Sequence, residues 1–187
     1  MKPVVAKDKI MNTAKRLFFE QGYNLTGINQ ITEEADISKP SLYNHFKSKS
    51  DLLVAYLEQQ YKDWFVGYNN FTENITGPLE KLIAMVDYRI DRQLKSDFGG
   101  CAWHKITAET PKHDVWVFER TTKFKAAIKA IIADLVKQLN RPEGKLLNDD
   151  DLTESIFLQI EGAIIITYIT KSHQPLDNVK AIIRQLV

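Results

Sequence analysis

The sequence of 187 residues contains a single cysteine. One cysteine cannot form an intramolecular disulfide, which fits a protein kept in a reducing cytoplasm. No apolar run approaches the length needed to cross a bilayer. The N-terminal segment MKPVVAKDKIMNTAK carries charges where a signal peptide would need its apolar segment. We therefore expect a cytoplasmic protein without a membrane partner.

Catalytic motifs are also missing. The chain has no phosphate-binding loop, no nucleophile with a matching base, no paired carboxylates and no motif with metal-ligand spacing. We therefore predict that it is not an enzyme and that it binds no cofactor. Strand-like alternation, internal repeats and low-complexity tracts are absent as well, whereas apolar residues recur at offsets of three and four. These patterns predict an all-α protein of about nine helices.

The charges are unevenly distributed along the chain. The first fifty residues carry an excess of lysine and arginine, while the remainder carries an excess of aspartate and glutamate. A basic first quarter on a mildly acidic body indicates a polyanion contact confined to one end. We expect a three-helix head at residues 1–48 and a C-terminal helical bundle at residues 49–187.

Residues 26–49, with the sequence TGINQITEEADISKPSLYNHFKSK, predict two short helices separated by a tight turn. Thr26 is placed to cap the first of these helices with its hydroxyl, and Ser38 is placed to cap the second. Leu42 and Phe46 lie four residues apart and should face inward. A helix-turn-helix of this size is the expected structure.

The second of these helices would present an unusual outer face. Its outward side chains can all donate a hydrogen bond and none is acidic: Lys39, Ser41, Tyr43, Asn44 and His45. A helix-turn-helix presents such a face to the major groove of DNA. Any amphipathic helix has a polar face, however, so a helical adaptor that binds protein is an alternative.

The stretch resembles the DNA-binding segment of the TetR family of bacterial transcriptional regulators. The matching residues are Thr26, Ile31, Ala35, Ser41, Tyr43, His45, Phe46 and Lys49. The resemblance implies a double-stranded DNA operator as partner. It places Tyr43 and Lys49 at phosphates, and the geometry favours Lys39, Ser41 and Asn44 for base edges. The predicted DNA-binding set is Thr26, Lys39, Pro40, Ser41, Tyr43, Asn44, His45, Lys47 and Lys49.

TetR-like regulators pair this head with a helical body that dimerises and binds a small effector. The Gly99-Gly100-Cys101 segment, with Glu109 eight residues on, and the Glu161-Gly162-Ala163 step look like features of one subgroup. The resemblance thus implies a homodimeric repressor of a palindromic operator.

The side chains of the body indicate the chemical class of the effector. Ligand cavities are mostly apolar with a few polar groups. Aromatic residues crowd the middle helices, which favours a small hydrophobic or aromatic effector, although aromatic residues at helical spacing also serve as plain core. The predicted effector-binding set is Trp64, Tyr68, Tyr88, Trp103, His104 and Trp116.

Cys101 and His104 suggest an alternative for the regulatory signal. A cysteine and a histidine three residues apart on one helix could hold zinc, with Glu109 and His113 nearby, but a tetrahedral site normally needs more such ligands. The cysteine could also sense oxidants, which requires surroundings that favour the thiolate. A redox- or metal-responsive regulator of the same fold, using Cys101 and His104, therefore remains an alternative. We assign no residue as a metal ligand.

The helix predicted at about 149–171 is apolar nearly all round, whereas a surface helix should have one polar side. Gly162 lies in its middle, where glycine costs about 1 kcal/mol against alanine unless a close helix approach compensates. We therefore predict that this helix pairs with its copy in a second chain, together with the final helix. The predicted interface comprises Ile156, Ile160, Gly162, Ala163, Ile166 and Ile169.

Overall fold

The structure is a computed structural model that describes residues 6–111, 114–142 and 146–187. Within these residues it contains nine helices and no strand. The helices are α1 (Ala6–Glu20), α2 (Ile28–Glu34), α3 (Lys39–His45), α4 (Lys49–Thr72), α5 (Pro78–Lys95), α6 (Ala102–Glu109), α7 (Val115–Lys137), α8 (Asp149–Thr170) and α9 (Gln174–Leu186). The all-α prediction is confirmed.

Helices α1, α2 and α3 pack against one another in a three-helix arrangement. Their shared core is mostly apolar, and its buried apolar members are Ile10, Ala14, Leu17, Phe18, Ile31, Ala35, Leu42 and Phe46. The spacing of these residues at three and four places one stripe of each helix toward the others. The inward placement of Leu42 and Phe46 is confirmed.

The turn between α2 and α3 depends on local backbone chemistry. Asp36 adopts a left-handed conformation with φ of 52°, which Asp tolerates better than most non-glycine residues. Ser38 then caps α3, its Oγ accepting a hydrogen bond from the Ser41 amide at 3.3 Å. Pro40 lies at the second position of α3, where its missing N–H costs nothing. The predicted cap at Ser38 is confirmed.

The predicted cap at Thr26 is wrong. The cap residue of α2 is Gly27, which makes no side-chain capping bond. Thr26 is completely buried, and its Oγ1 donates a hydrogen bond to the Gly22 carbonyl at 2.6 Å. The hydroxyl therefore closes the turn after α1 instead of the start of α2.

The chain divides into two compact units. The first contains residues 1–64 and 102–117, so α6 and the first two thirds of α4 belong with the three-helix head. The second contains residues 65–101 and 118–187. The predicted division into a domain at residues 1–48 and a domain at residues 49–187 stays a prediction.

In the second unit, α9 packs against both α8 and α5. Helix α8 begins after its cap residue Asn148, whose Oδ1 accepts a hydrogen bond from the Asp151 amide at 2.8 Å.

Among the described residues, α8 is the one helix whose length and composition would also suit a membrane span. The expectation that no apolar run reaches that length is therefore corrected. One face of α8 is buried within this unit, as expected for a core helix: Leu152, Ile156, Ile160, Ala163 and Ile164.

Candidate functional site

The outward face of α3 forms a polar surface. Lys39, Asn44 and His45 are exposed, and the Tyr43 side chain is 47% exposed. Leu42 on the opposite side is completely buried, so the orientation of the helix is determined by its apolar residues. The face therefore presents donors to the solvent without a carboxylate among them, which is the chemistry needed to contact phosphates and base edges.

Three further predicted residues flank this face. Pro40 and Lys47 are exposed, and Ser41 is half-buried. Thr26, in contrast, lies inside the head with its hydroxyl bonded to a backbone carbonyl. The structure thus brings the members of the predicted DNA-binding set that belong to α3 together on one surface, and it places Thr26 behind that surface.

Lys49 is the first residue of α4 and lies against Tyr23. Its Nζ is 4.2 Å from the centre of the Tyr23 ring, a favourable cation–π distance. Partial burial lowers the pKa of Lys49, while the negative charge of Glu109 opposes that shift. Burial, together with the charge of Asp114, also raises the pKa of Tyr23. The Lys49 ammonium is therefore held at the edge of the head by a ring that sequence reasoning did not single out.

Helix α6 is hydrogen-bonded to the turn that follows α1. The Asn24 amide donates to Glu109 Oε2 at 2.8 Å, and Asn24 Nδ2 donates to the Glu109 carbonyl at 2.9 Å. A Cβ on Gly22, where φ is 94°, would meet the same carboxylate at 2.3 Å, so only glycine fits this turn. Lys105 Nζ also donates to the Phe19 carbonyl at 2.9 Å. These three hydrogen bonds fix α6 to the head within the first unit.

Sequence reasoning named Glu109 as part of a subgroup feature and as a neighbour of the possible zinc ligands, and it did not name Asn24 or Lys105. The contacts join residues 85 or 86 positions apart, so no local pattern could reveal them. The glycine at the end of α1 was the one available signal, since a glycine with positive φ is often required where another segment approaches closely.

The residues predicted to bind an effector are distributed over both units. Trp64, Trp103, His104 and Trp116 belong to the first unit, and Tyr68 and Tyr88 belong to the second. Trp64 and Trp103 are buried, whereas His104 and Trp116 are partly exposed. The structure brings the two tyrosines together, with ring centres 6.0 Å apart.

The tyrosine pair belongs to a small aromatic cluster. The Phe71 ring lies 5.6 Å from the Tyr88 ring, and the Arg92 guanidinium lies 5.8 Å from the same ring. Tyr68 is 4% exposed, and burial raises its pKa to about 12. Its phenol is therefore neutral throughout the physiological pH range. Such a cluster offers apolar ring surface together with a nearby cation.

Cys101 lies in the second unit and is half-buried, with Lys125 Nζ at 3.8 Å from its Sγ. His113 lies outside the described residues. Across residues 6–111, 114–142 and 146–187, no three His, Cys, Asp or Glu side chains are grouped to hold a metal ion. Cys101 and His104 therefore acquire no third such ligand from the described part of the chain.

The predicted dimer residues of α8 fall on two different faces. Ile156, Ile160 and Ala163 are buried within the second unit. Gly162 is exposed, and a Cβ added there would meet nothing within 4 Å. Ile166 and Ile169 are 47% and 65% exposed. Only these last three positions therefore lie on a surface that a second chain could reach.

Comparisons with known proteins identify similar transcriptional regulators. Residues 10–56 match the sequence model described as bacterial regulatory proteins, tetR family. An uncharacterised HTH-type transcriptional regulator from the lacX 3' region of Lactococcus lactis subsp. lactis is 25% identical over 92% of this chain and 88% of its own length. The HTH-type transcriptional regulator QacR of Staphylococcus aureus is 41% identical, but over 31% of each chain.

The fold is shared over nearly the whole chain. A TetR-family transcriptional regulator from Streptomyces coelicolor superposes with a TM-score of 0.83, covering 97% of this chain and 89% of that one at 22% identity. The match to the family sequence model, the curated regulators and the common fold lead to one assignment. Residues 10–56 belong to the tetR family of bacterial regulatory proteins, and the chain has the fold of TetR-family transcriptional regulators, which bind DNA and are not enzymes.

Proposed function

We propose that the protein is a cytoplasmic, homodimeric transcriptional repressor that binds a palindromic operator and leaves it when a small hydrophobic or aromatic molecule binds. The observation that carries the proposal is the outward face of α3, which is exposed, rich in hydrogen-bond donors and free of carboxylates. Two such helices related by a two-fold axis would enter successive major grooves about 34–36 Å apart.

The residues on and beside this face are assigned to different parts of the DNA. Tyr43, exposed on α3, and Lys49, at the start of α4, are assigned to phosphates, because a hydroxyl and an ammonium there can hold the backbone in register. Lys39 and Ser41 lie in the first turn of α3 and are assigned to base edges, since the N-terminal residues of a recognition helix contact the bases. Asn44 lies in the last turn and is assigned to a base edge because its side chain is exposed on the outward face. Asn44 is suited to an adenine, and Lys39 to a guanine.

The outer stripe of α8 supports the proposed dimer. Leu158, Ile165, Ile166 and Ile169 are each at least 47% exposed, and with Gly162 they recur at offsets of three and four along one side of the helix. An apolar stripe of this length on a protein surface marks an interaction site. Because a Cβ added at Gly162 would meet nothing within 4 Å, the position leaves space for another backbone to approach. An isologous α8 contact would use this surface twice.

The proposed release by effector requires two states with different head positions. An effector that prefers the state unable to bind DNA removes the competent one, by no more than its differential affinity. The hydrogen bonds from Asn24 to Glu109 and from Lys105 to Phe19 support this proposal, because any displacement of α6 would act directly on the head. The aromatic residues Tyr68, Phe71 and Tyr88 supply the ring surface expected for the ligand.

The dimer proposal can be tested with a pair of surface variants. Ile169→Glu places a charge on the exposed stripe, and Val115→Glu places the same charge on a comparably exposed residue elsewhere, 65% against 57%. Sedimentation should show monomers for Ile169→Glu and dimers for Val115→Glu, with operator affinity reduced only in the former. Dimers of unchanged stability in Ile169→Glu would refute the placement of the interface.

Gly162 provides an independent test. Gly162→Ala meets no steric obstacle within its own chain and should stabilise the helix by up to about 1 kcal/mol. The added methyl group would nevertheless separate the two copies of α8, so dimer affinity should fall. Gly162→Phe should prevent dimerisation and weaken operator binding although the head is unchanged. A Gly162→Phe protein that still sediments as a dimer and binds DNA normally would contradict the proposal.

A further inference from the structure

The turn at residues 96–101, between α5 and α6, contains unfavourable backbone conformations. Among the residues that the structure describes, four non-glycine residues have a positive φ. Three of them belong to this turn or contact it: Asp97 at 49°, Phe98 at 54° and Lys171 at 52°. A bulky residue such as phenylalanine rarely adopts this conformation, because its Cβ approaches the backbone too closely. Such strain persists only where the surrounding structure imposes it, and it is concentrated at functional sites and switch regions.

One side of the turn is held by Gln93 of α5, which is almost completely buried. Its side-chain amide accepts a hydrogen bond from the Gly100 amide at 3.0 Å and donates one to the Gly100 carbonyl at 3.1 Å. The Phe98 amide donates to the Gln93 carbonyl at 2.7 Å, and the Gly99 amide donates to Ser96 Oγ at 3.2 Å. The strained backbone is therefore bonded to the last turn of α5.

The other side of the turn is held from the end of α8. Lys171 is the residue that caps this end, and its Nζ donates to the Phe98 carbonyl at 3.2 Å and to the Asp97 carbonyl at 3.5 Å. The same ammonium lies 4.9 Å from the centre of the Tyr168 ring. A Cβ on Gly100, where φ is 80°, would approach that ring to 3.1 Å, so glycine lets the turn and the helix pack closely. Lys171 thus bonds to the carbonyls of both strained residues.

We propose that the turn at residues 96–101 is a strained latch: Lys171 holds it closed, the closed turn keeps α6 in the arrangement that binds operator DNA, and loss of the Lys171 contact opens it. Residue 101 ends the second unit and residue 102 begins α6, so a change in the backbone of the turn acts on the start of this helix. The last residue of α6, Glu109, is hydrogen-bonded to Asn24 of the head. The inference rests on the proposed function and specifies which part of the body controls release.

Lys171 also connects the latch with the proposed dimer surface. It follows Ile169, which is exposed on the outer stripe of α8, by two residues. A shift of one α8 against its copy would therefore reach the Asp97 and Phe98 carbonyls through a single side chain. The latch gives the dimer a physical connection to the start of α6.

The first test follows two amides by hydrogen exchange in the full-length protein without DNA. The Gly100 amide reports on the turn, and the Asn24 amide, which donates to Glu109 Oε2, reports on the head. Lys171→Met removes the ammonium and keeps the apolar stem of the side chain. Exchange at both amides should accelerate roughly tenfold, the effect of losing one charge-assisted hydrogen bond. Acceleration at Gly100 alone, or unchanged rates at both amides, would overturn the latch.

Lys95→Met is the matched control for this experiment. Lys95 directly precedes the turn, is exposed and pairs with Asp91 on its own helix. Its loss removes the same charge without touching the Asp97 and Phe98 carbonyls, so exchange rates and operator affinity should equal those of the wild type. If Lys95→Met accelerated exchange as much as Lys171→Met, the effect would come from charge alone and the latch would be refuted.

Two substitutions of Phe98 in the Lys171→Met background test the strain itself. Phe98→Gly and Phe98→Ala both remove the ring, but only glycine adopts a positive φ without steric cost. Lys171→Met alone should weaken operator binding roughly tenfold, because the open turn becomes populated. Phe98→Gly should restore most of this loss, whereas Phe98→Ala should not. Equal effects of glycine and alanine, or losses that add to that of Lys171→Met, would contradict the strained latch.

Failure of the latch and failure of the proposed function give different results. Normal operator binding by Lys171→Met, with unchanged exchange at Gly100 and Asn24, would refute the latch and leave the proposed repressor intact. A wild-type protein that binds no operator DNA would refute the proposed function and with it the regulatory role of the latch.

Discussion

Replacing Lys49 with alanine tests whether this side chain contributes both to the stability of the head and to DNA binding. The Lys49 ammonium lies 4.2 Å from the Tyr23 ring centre, and partial burial lowers its pKa. Tyr23 itself packs edge-on against the buried Phe18, with ring centres 5.3 Å apart. Lys49 therefore has a packing role in the head in addition to the phosphate contact that we propose.

The two contributions have different magnitudes and different measurements. Loss of a cation–π contact at a partly exposed position costs about 0.5–1 kcal/mol of the free energy of unfolding. Loss of one phosphate contact reduces the slope of log affinity against log salt concentration by about 0.9. Lys49→Ala should thus lower stability by less than about 1 kcal/mol in urea unfolding, weaken binding to all DNA sequences and flatten the salt slope by about one unit.

Lys47→Ala is the matched control, because Lys47 is exposed beside the same surface. Its salt slope should also flatten if it contacts a phosphate, while its free energy of unfolding should equal that of the wild type. Lys49→Arg keeps the charge above the Tyr23 ring and should preserve both quantities. If Lys49→Ala were destabilised while its salt slope stayed at the wild-type value, Lys49 would be a packing residue and the phosphate assignment would be refuted.

Three further perturbations have defined outcomes. Ser38→Ala removes the cap of α3 and should cost about 1 kcal/mol in urea unfolding together with a loss of operator affinity; unchanged unfolding would show that the cap contributes nothing. Glu109→Gln weakens the acceptor of the Asn24 amide, so hydrogen exchange at that amide should accelerate roughly tenfold, and an unchanged rate would argue against the contact. Tyr68→Phe tests the raised pKa of a buried phenol. The pKa of Tyr68 is near 10 in the unfolded state and about 12 in the folded state. As pH rises between these values, Tyr68 should therefore lower the free energy of unfolding by at most about 1.4 kcal/mol per pH unit. The phenylalanine variant should not show this loss.

Features determined by neighbouring residues could be predicted from the sequence. The predicted cap at Ser38 forms, because its Oγ accepts a hydrogen bond from the amide three residues further on. Ser48 and Asn148 accept hydrogen bonds from the amides of Asp51 and Asp151 in the same way. Thr26 fits the same local rule and yet behaves differently. Its hydroxyl finds the Gly22 carbonyl when the turn closes, and a short-range pattern cannot distinguish these two partners.

Contacts between distant segments could not be predicted in this way. The bond from Asn24 to Glu109 and the pairing of Arg89 with Glu161 depend on the packing of helices that are far apart in sequence. Ile156 and Ile160 illustrate a related limit. The all-round apolar character of α8 indicated two buried faces, but periodicity alone could not show that these two residues belong to the inner one.

The most direct test of the account is a selection of DNA fragments by the purified full-length protein, followed by a fluorescence-anisotropy titration of the selected duplex at several salt concentrations. We predict recovery of inverted-repeat fragments and an affinity that falls steeply as salt rises, since several phosphates are neutralised in the complex. Tyr43→Phe and Asn44→Ala should each weaken this binding. Failure to select any fragment, or an affinity that does not depend on salt, would contradict the assignment of α3 as a DNA-recognition helix.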